Sequence, residues 1–172
     1  MSLSRAVFLD RDGVLSRERK DFVKTPDELE ILPNLGPPLR DLRSMGFRLV
    51  VVTNQSVVGR GLASEETLSK IHDKLRMELE LLGCDLDGIY YCPHVPGSGC
   101  NCRKPEPGLI LKAAKDLAID VRQSWMIGDN EMDVEAARRA GCKGIRIGTN
   151  GSNLAQAVAN IASAERSRRP NA

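Results

Sequence analysis

The chain has 172 residues, with 25 basic and 23 acidic side chains and a formal net charge of +2. That length supports one domain with a core that needs no disulfides, and the near-balance of charge gives no reason to expect a nucleic-acid or membrane surface. No apolar run approaches the ~18 residues of a membrane span, and the start Met1-Ser-Leu-Ser-Arg5 lacks the apolar segment of a signal peptide, so a soluble cytoplasmic protein is expected. The five cysteines are an odd number with three clustered, which suits metal binding better than a disulfide framework.

The first apolar run, 6–9, reads as a buried strand. Residues 38–45 follow as a short helix stopped by Gly46, and the continuous β-branched run 47–52 has the character of a parallel strand covered on both faces. Ser64 is placed as the N-cap of a long helix, with Thr67 where a capping box would carry Glu or Gln. Leu68, Ile71, Leu75, Leu79 and Leu82 form its apolar stripe, and Gly83 closes it. Further strands are expected at 88–91, 124–127 and 144–147. Further helices are expected at 107–117, 131–140 and 153–164, the first with proline near its start. The basic segment 166–172 is expected to be a disordered tail. Strands alternating with helices indicate an α/β fold with a parallel sheet and helices on both faces. With no repeat or linker, one domain spans 1–172, its core at about 5–165.

In such sheets ligands gather at the C-terminal strand ends, and the polar motifs fall there. Asp10 follows the first strand, Thr53 and Asn54 the second, Cys92 and His94 the third, and Asp129 the fourth. A carboxylate at Asp10 can attack phosphorus and form an aspartyl-phosphate. Asp12, two positions on, can protonate the leaving oxygen and then activate water, and Gly13 permits the turn that aims both. Taken alone, Asp12-Gly13 reads better as a turn. Thr53, Asn54, Gln55 and Ser56 offer hydroxyl, amide and backbone donors to phosphate oxygens, although the same residues equally make an ST- or Asx-turn.

Arg103-Lys104-Pro105 supplies positive charge. Lys104 is a compact charge suited to a phosphoryl group and the nucleophile, while Arg103 offers a fork to a second anionic or hydroxylated part of a substrate. Taken alone the two are a solvated basic pair. Gly128-Asp129-Asn130-Glu-Met-Asp133 is a second acidic site, where Asp129, Asp10 and the Asp12 main-chain carbonyl would hold Mg²⁺ and screen carboxylate from phosphate. Asp133, about one helical turn on, reads equally as loop support or as a helix N-terminal carboxylate. Finally, Cys92, His94, Cys100 and Cys102 put three thiols and an imidazole within eleven positions, the ligand set of a closed, structural zinc site. Zinc there would stiffen a Pro- and Gly-rich loop and position Arg103 and Lys104. Cys84 and Cys142, beside helix-ending glycines, read as small buried residues.

With these motifs in place, the chain resembles the haloacid dehalogenase superfamily of phosphatases from about 6 to 147. Phe8-Leu-Asp-Arg-Asp-Gly13, Val52-Thr-Asn-Gln-Ser56, Tyr91-Cys-Pro-His94, Cys102-Arg-Lys-Pro105 and Ile127-Gly-Asp129 are similar to the subgroup that holds the D-glycero-D-manno-heptose 1,7-bisphosphate phosphatases and the histidinol-phosphate phosphatase domains. The resemblance implies a Rossmann-like three-layer sandwich with a central parallel sheet, no sizeable cap domain and a zinc-stabilised loop. It also implies Mg²⁺ dependence, with Asp10 as nucleophile, Asp12 as acid and base, and Thr53 and Lys104 on the phosphoryl group. Asn54, Gln55 and Arg103 become candidate substrate contacts, with Ser56 and Asn130 beside them.

The substrate is read from loops. The segments 102–108 and 55–61 are similar to the heptose enzymes, whereas the short stretch between Cys92 and Cys100 is like the histidinol-phosphate form. Residues 18–22 are expected to border the substrate, with Phe22 where a tyrosine is common in the heptose enzymes. A sugar phosphate should favour hydroxyl and amide donors plus Arg60 or Arg103, while the amine of histidinol phosphate would enlarge the part of Glu18 or Asp21. The expected activity is removal of the 7-phosphate of heptose 1,7-bisphosphate by a monomer. The alternatives are a histidinol-phosphate phosphatase, a phosphotransferase, and a non-catalytic zinc-stabilised binding protein on the same fold.

Overall fold

The computed structural model describes residues 2–149 and 153–168. At its centre β1 (Arg5–Leu9) runs parallel to β2 (Phe47–Asn54), with Val7 opposite Leu49 and Leu9 opposite Val51. On its other side β1 pairs with β4 (Trp125–Gly128), with Leu9 opposite Ile127. β3 (Gly88–Cys92) and β5 (Lys143–Arg146) complete a parallel sheet in the order β3-β2-β1-β4-β5. Side chains alternate across a strand, so neighbouring residues feed separate cores. Val7, Leu9, Leu49, Val51 and Ile127 pack beneath α1 (Gly36–Ser44), α2 (Glu65–Leu81) and α5 (Leu154–Arg168). Ala6, Phe8, Val50, Val52 and Met126 pack beneath α3 (Gly108–Asp116) and α4 (Glu131–Ala140). The result is the expected three-layer sandwich.

Local chemistry sets the helix bounds. The Ser64 hydroxyl accepts from the Thr67 N–H at 3.0 Å, so Ser64 caps α2 as expected. The full capping box lies instead on α4, where Asn130 accepts from the Met132 N–H and Asp133 accepts from the Asn130 N–H. Several bounds shift by one or two residues, and two of the differences have a clear cause. β2 runs on to Asn54, because Thr53 and Asn54 pair with Tyr91 and Cys92 of β3. α5 continues through Arg168, so 166–168 are helical rather than a disordered tail. Glu165 on this last turn pairs with Arg5 at the start of β1 and with Arg168, which ties the turn to the sheet. The remainder of that expected tail, 169–172, lies outside the described residues. Between β1 and β2 there is only a 3-10 turn, Pro26–Glu28, and α1, which leaves no room for a sizeable cap. No helix among the described residues is long and apolar enough to cross a membrane.

The strand order reverses direction at β1, which has β2 on one side and β4 on the other. This switch point opens a crevice beyond the C-terminal strand ends. Asp10 follows β1 there and Asp129 follows β4.

Candidate active site

The carboxylates of Asp10, Asp129 and Asp133 converge, each offering an oxygen within 4.8 Å of the others. Gly13 makes room for this. Its φ of 84° is a conformation that side chains rarely adopt, and a Cβ there would stand 1.9 Å from Asp129 Oδ2. Gly128 does the same for Asp133, whose Oδ2 would lie 2.1 Å from an added Cβ. Lys104 is buried among these groups. Its Nζ lies 3.0 Å from Asp10 Oδ1 and 2.7 Å from Asp133 Oδ1, and it donates to the Val52 carbonyl at 2.8 Å. Burial alone would lower the lysine, but the two carboxylates outweigh it and hold the ammonium above its ordinary value. Asp10 is pushed up to about 6, chiefly by burial, against the pull of Lys104 and with a further push from Asp133 and Asp12. Burial raises Asp129 as well, helped by Asp133 and Glu18. Three carboxylates against one ammonium leave an excess of negative charge, and an all-oxygen donor set suits a hard divalent cation.

Asp12 is held from several sides. Arg11 Nε donates to Oδ1 and Nη2 to Oδ2, both at 2.9 Å, as a fork. Gln55 Nε2 donates to Oδ2 at 2.8 Å and to the Thr53 hydroxyl at 2.9 Å, and the Ser16 hydroxyl lies 3.1 Å from Oδ1. Behind Arg11 stands His72 of α2, with Nη1 and Nε2 3.4 Å apart. Burial, with the neighbouring Arg11 charge, pushes the imidazole down to about 3, so it is neutral and accepts.

A cavity of about 180 Å³ opens over these groups. Of the residues expected from sequence, Asp10, Asp12, Glu18, Asn54, Gln55, Ser56, Arg103, Lys104, Asp129 and Asn130 line it, as do Arg19, Phe22 and Met132. Thr53 sits just beneath, buried, with Gln55 as its donor. Asn54 instead locks the Lys104 backbone, donating to its carbonyl at 3.1 Å and accepting from its N–H at 3.0 Å. Asn130 is engaged as the cap of α4. Arg60 is not in the lining; it donates to Ser56 at 3.2 Å and stacks 5.2 Å over the Phe22 ring. Asp21, also expected near the substrate, is absent from the lining. Its side chain is 62% exposed, and hydrogen bonds from Lys24 first and then Arg19 hold it down to about 2. Sequence reasoning left Asp133 undecided and missed Arg11 and His72. The Asn130-to-Asp133 spacing of a capping box was the available signal for the first, and nothing local marked the other two. A larger apolar groove between α1 and α5, about 470 Å³, stands apart from these carboxylates.

The cysteine loop closes on itself after β3. Cys92 Sγ lies 3.7 Å from Cys100 Sγ and 3.4 Å from His94 Nδ1, and Cys102 Sγ lies 3.3 Å from the same nitrogen. All are free thiols. A tetrahedral ion with bonds of about 2.3 Å to sulfur separates two such ligands by about 3.8 Å, so the spacing fits zinc. Arg103 follows directly and donates to the His94 carbonyl at 3.2 Å.

The comparisons with known proteins agree with this geometry. The HAD-hydrolase-like family matches residues 101–167. The D-glycero-beta-D-manno-heptose-1,7-bisphosphate 7-phosphatase of Haemophilus ducreyi is 44% identical over 146 residues, covering 81% of this chain and 80% of that protein. Its counterpart in Bordetella bronchiseptica is 38% identical over 154 residues, covering 88% and 86%. The crystal structure of D,D-heptose 1,7-bisphosphate phosphatase from B. bronchiseptica, complexed with magnesium and phosphate, matches with a TM-score of 0.84 at 33% identity and covers 93% of this chain and 99% of that one. The chain belongs to the haloacid dehalogenase-like hydrolases and, within them, to the family of heptose-bisphosphate phosphatases, which are phosphoric monoester hydrolases.

Proposed function

We propose that the protein is a Mg²⁺-dependent phosphatase that removes the 7-phosphate of D-glycero-D-manno-heptose 1,7-bisphosphate through an aspartyl-phosphate. The observation that carries this reading is the meeting of Asp10, Asp12, Asp129, Asp133 and Lys104 in a single cavity that Arg19 and Arg103 also line. An Asp10 oxygen attacks phosphorus, and the bond from phosphorus to the sugar oxygen breaks. Asp12 gives its proton to that leaving oxygen. It then takes a proton from a water whose oxygen attacks phosphorus, breaking the bond to Asp10 and releasing phosphate. Gln55 donates to the Thr53 hydroxyl oxygen, which leaves the hydroxyl proton for a phosphoryl oxygen. Lys104 adds its charge at the nucleophile.

Asp10, Asp129 and the Asp12 main-chain carbonyl would hold Mg²⁺, with Asp133 as a further carboxylate at the same point. When bound, the cation offsets the charge between carboxylate and phosphate. Cys92, His94, Cys100 and Cys102 would hold a structural Zn²⁺ with no open position, stiffening the loop that carries Arg103 and Lys104.

The Arg103 guanidinium at the cavity favours a bisphosphate over an amine-bearing monophosphate, whereas Arg19 is already paired with Asp21 and Glu28. Arg103 engages a carbonyl rather than a carboxylate, so its charge is available to a second phosphate. Glu18 is the feature that would suit histidinol phosphate. Comparing kcat/KM for both anomers of the heptose 1,7-bisphosphate with histidinol phosphate tests the choice. A preference of at least about 100-fold for one heptose anomer is expected, the size of a missing charge-assisted contact. Equal or reversed values would refute the substrate while leaving the chemistry standing.

A further inference from the structure

Arg11 is fully buried, and Asp12 is its salt-bridge partner. Taking a guanidinium out of water is costly, and a buried ion pair is often no more stable than well-packed apolar residues of similar volume. Packing therefore does not account for Arg11; its fork on Asp12 does. The remaining face of the guanidinium meets His72 Nε2 at 3.4 Å, and His72 is fixed on α2 among the buried Leu68, Ile71 and Leu75. A chain of contacts thus runs from a rigid helix through a buried cation to the carboxylate that must face first the leaving oxygen and then water. Gln55 ties the same carboxylate to the end of β2.

We propose that Arg11 and His72 are positioning residues, which hold the plane of the Asp12 carboxylate for proton transfer to and from the reacting oxygens. This rests on the phosphatase reading given above. His72 touches neither the cavity nor Asp12; it acts by accepting from Arg11 Nη1, which keeps Nε and Nη2 side by side on the two carboxylate oxygens. Lysine at position 11 would keep the charge and lose the fork.

His72→Leu removes the acceptor, and His72→Gln returns one. Two substrates separate the steps: heptose 1,7-bisphosphate, whose alkoxide leaving group needs a proton, and 4-nitrophenyl phosphate, whose leaving group does not. With enzyme in excess, release of 4-nitrophenol reads phosphoryl transfer to Asp10 without acid assistance. His72→Leu is expected to lower kcat on the heptose substrate at least about tenfold, a part of what a positioned acid contributes, with KM within twofold. Single-turnover nitrophenol release should stay within about twofold, and His72→Gln should recover most of the kcat. Arg11→Lys should give the same split, and serves if His72→Leu does not fold. A folded variant that slows both reactions equally, or neither, overturns the proposal. A wild-type protein that turns over neither substrate overturns the phosphatase reading instead.

Discussion

Asp10→Asn should abolish turnover and yet stabilise the Mg²⁺-free protein. Burial raises Asp10 from 3.8 to about 6, even with Lys104 Nζ 3.0 Å away. Each pKa unit is about 1.36 kcal/mol. Ionised Asp10 therefore lowers folding stability by about 3 kcal/mol above pH 6 relative to its neutral form. The sign follows from the raised folded value: this stability is present below the unfolded pKa of 3.8 and lost as pH rises towards 6. The amide has the size of the neutral acid and carries no charge, so the variant escapes the loss. At pH 7.5, with zinc present and Mg²⁺ absent, Asp10→Asn should unfold about 3 kcal/mol less readily, which is roughly 6–12 °C for a chain of this size. By pH 4 the gap should fall below about 1 kcal/mol, because the parent is then protonated too. Saturating Mg²⁺ should narrow it at pH 7.5 by binding the ionised parent. Thermal or urea unfolding followed across pH 4–8 reads all of this. A variant no more stable than its parent at pH 7.5 would falsify the picture of a strained buried nucleophile, and residual turnover would sink the aspartyl-phosphate.

Removing zinc with a chelator, followed by repletion with Mg²⁺, should lower the unfolding temperature and kcat together. Unchanged stability in a protein shown by metal analysis to be zinc-free would refute the structural role of Cys92, His94, Cys100 and Cys102. Gly13→Ala should weaken Mg²⁺ binding at least about tenfold and cost about 1–3 kcal/mol of stability, because the new Cβ meets Asp129 Oδ2 at 1.9 Å in a backbone of φ 84°. Calorimetric Mg²⁺ titration checks the first effect, and parental affinity would show that Asp129 is not where the ion binds.

The parts of this molecule that could be read from sequence are those with a local signal. β1 and β2 are continuous apolar runs because both their faces are covered, and α4 begins and ends at its own caps, Asn130 and Gly141. Asp10, Gly13, Thr53 and Asp129 stand at strand ends, where the fold gathers ligands. The features that escaped depend on partners far along the chain. Asp133 looks like a capping residue and nothing more until Lys104, carried in by the cysteine loop, is seen at 2.7 Å. Asp21 reads like its neighbour Glu18, yet Lys24 and Arg19 pair with it outside the cavity that Glu18 lines. α5 outruns its expected end because Glu165 reaches Arg5, a pairing across the whole chain.

Arg11 is the strongest case, for it lies between the two aspartates that reveal the chemistry and gives no sign of its own role. A charged side chain reads as surface by default, since burial costs it several kcal/mol. Among the described residues the buried charged side chains are Arg11, Lys104 and Asp133. Arg11 grips Asp12, Lys104 grips Asp10, and Asp133 grips Lys104. The buried polar residues Ser16, Gln55 and Thr53 belong to the same network. An apolar core of similar shape is often at least as stable, so fold stability is a weak reason for these charges to be inside. What they share is contact, direct or at one remove, with Asp10 or Asp12, the proposed nucleophile and proton carrier. On that argument the extent of the active site is drawn by its buried charges rather than by its cavity, and it reaches back through Arg11 to His72 on α2.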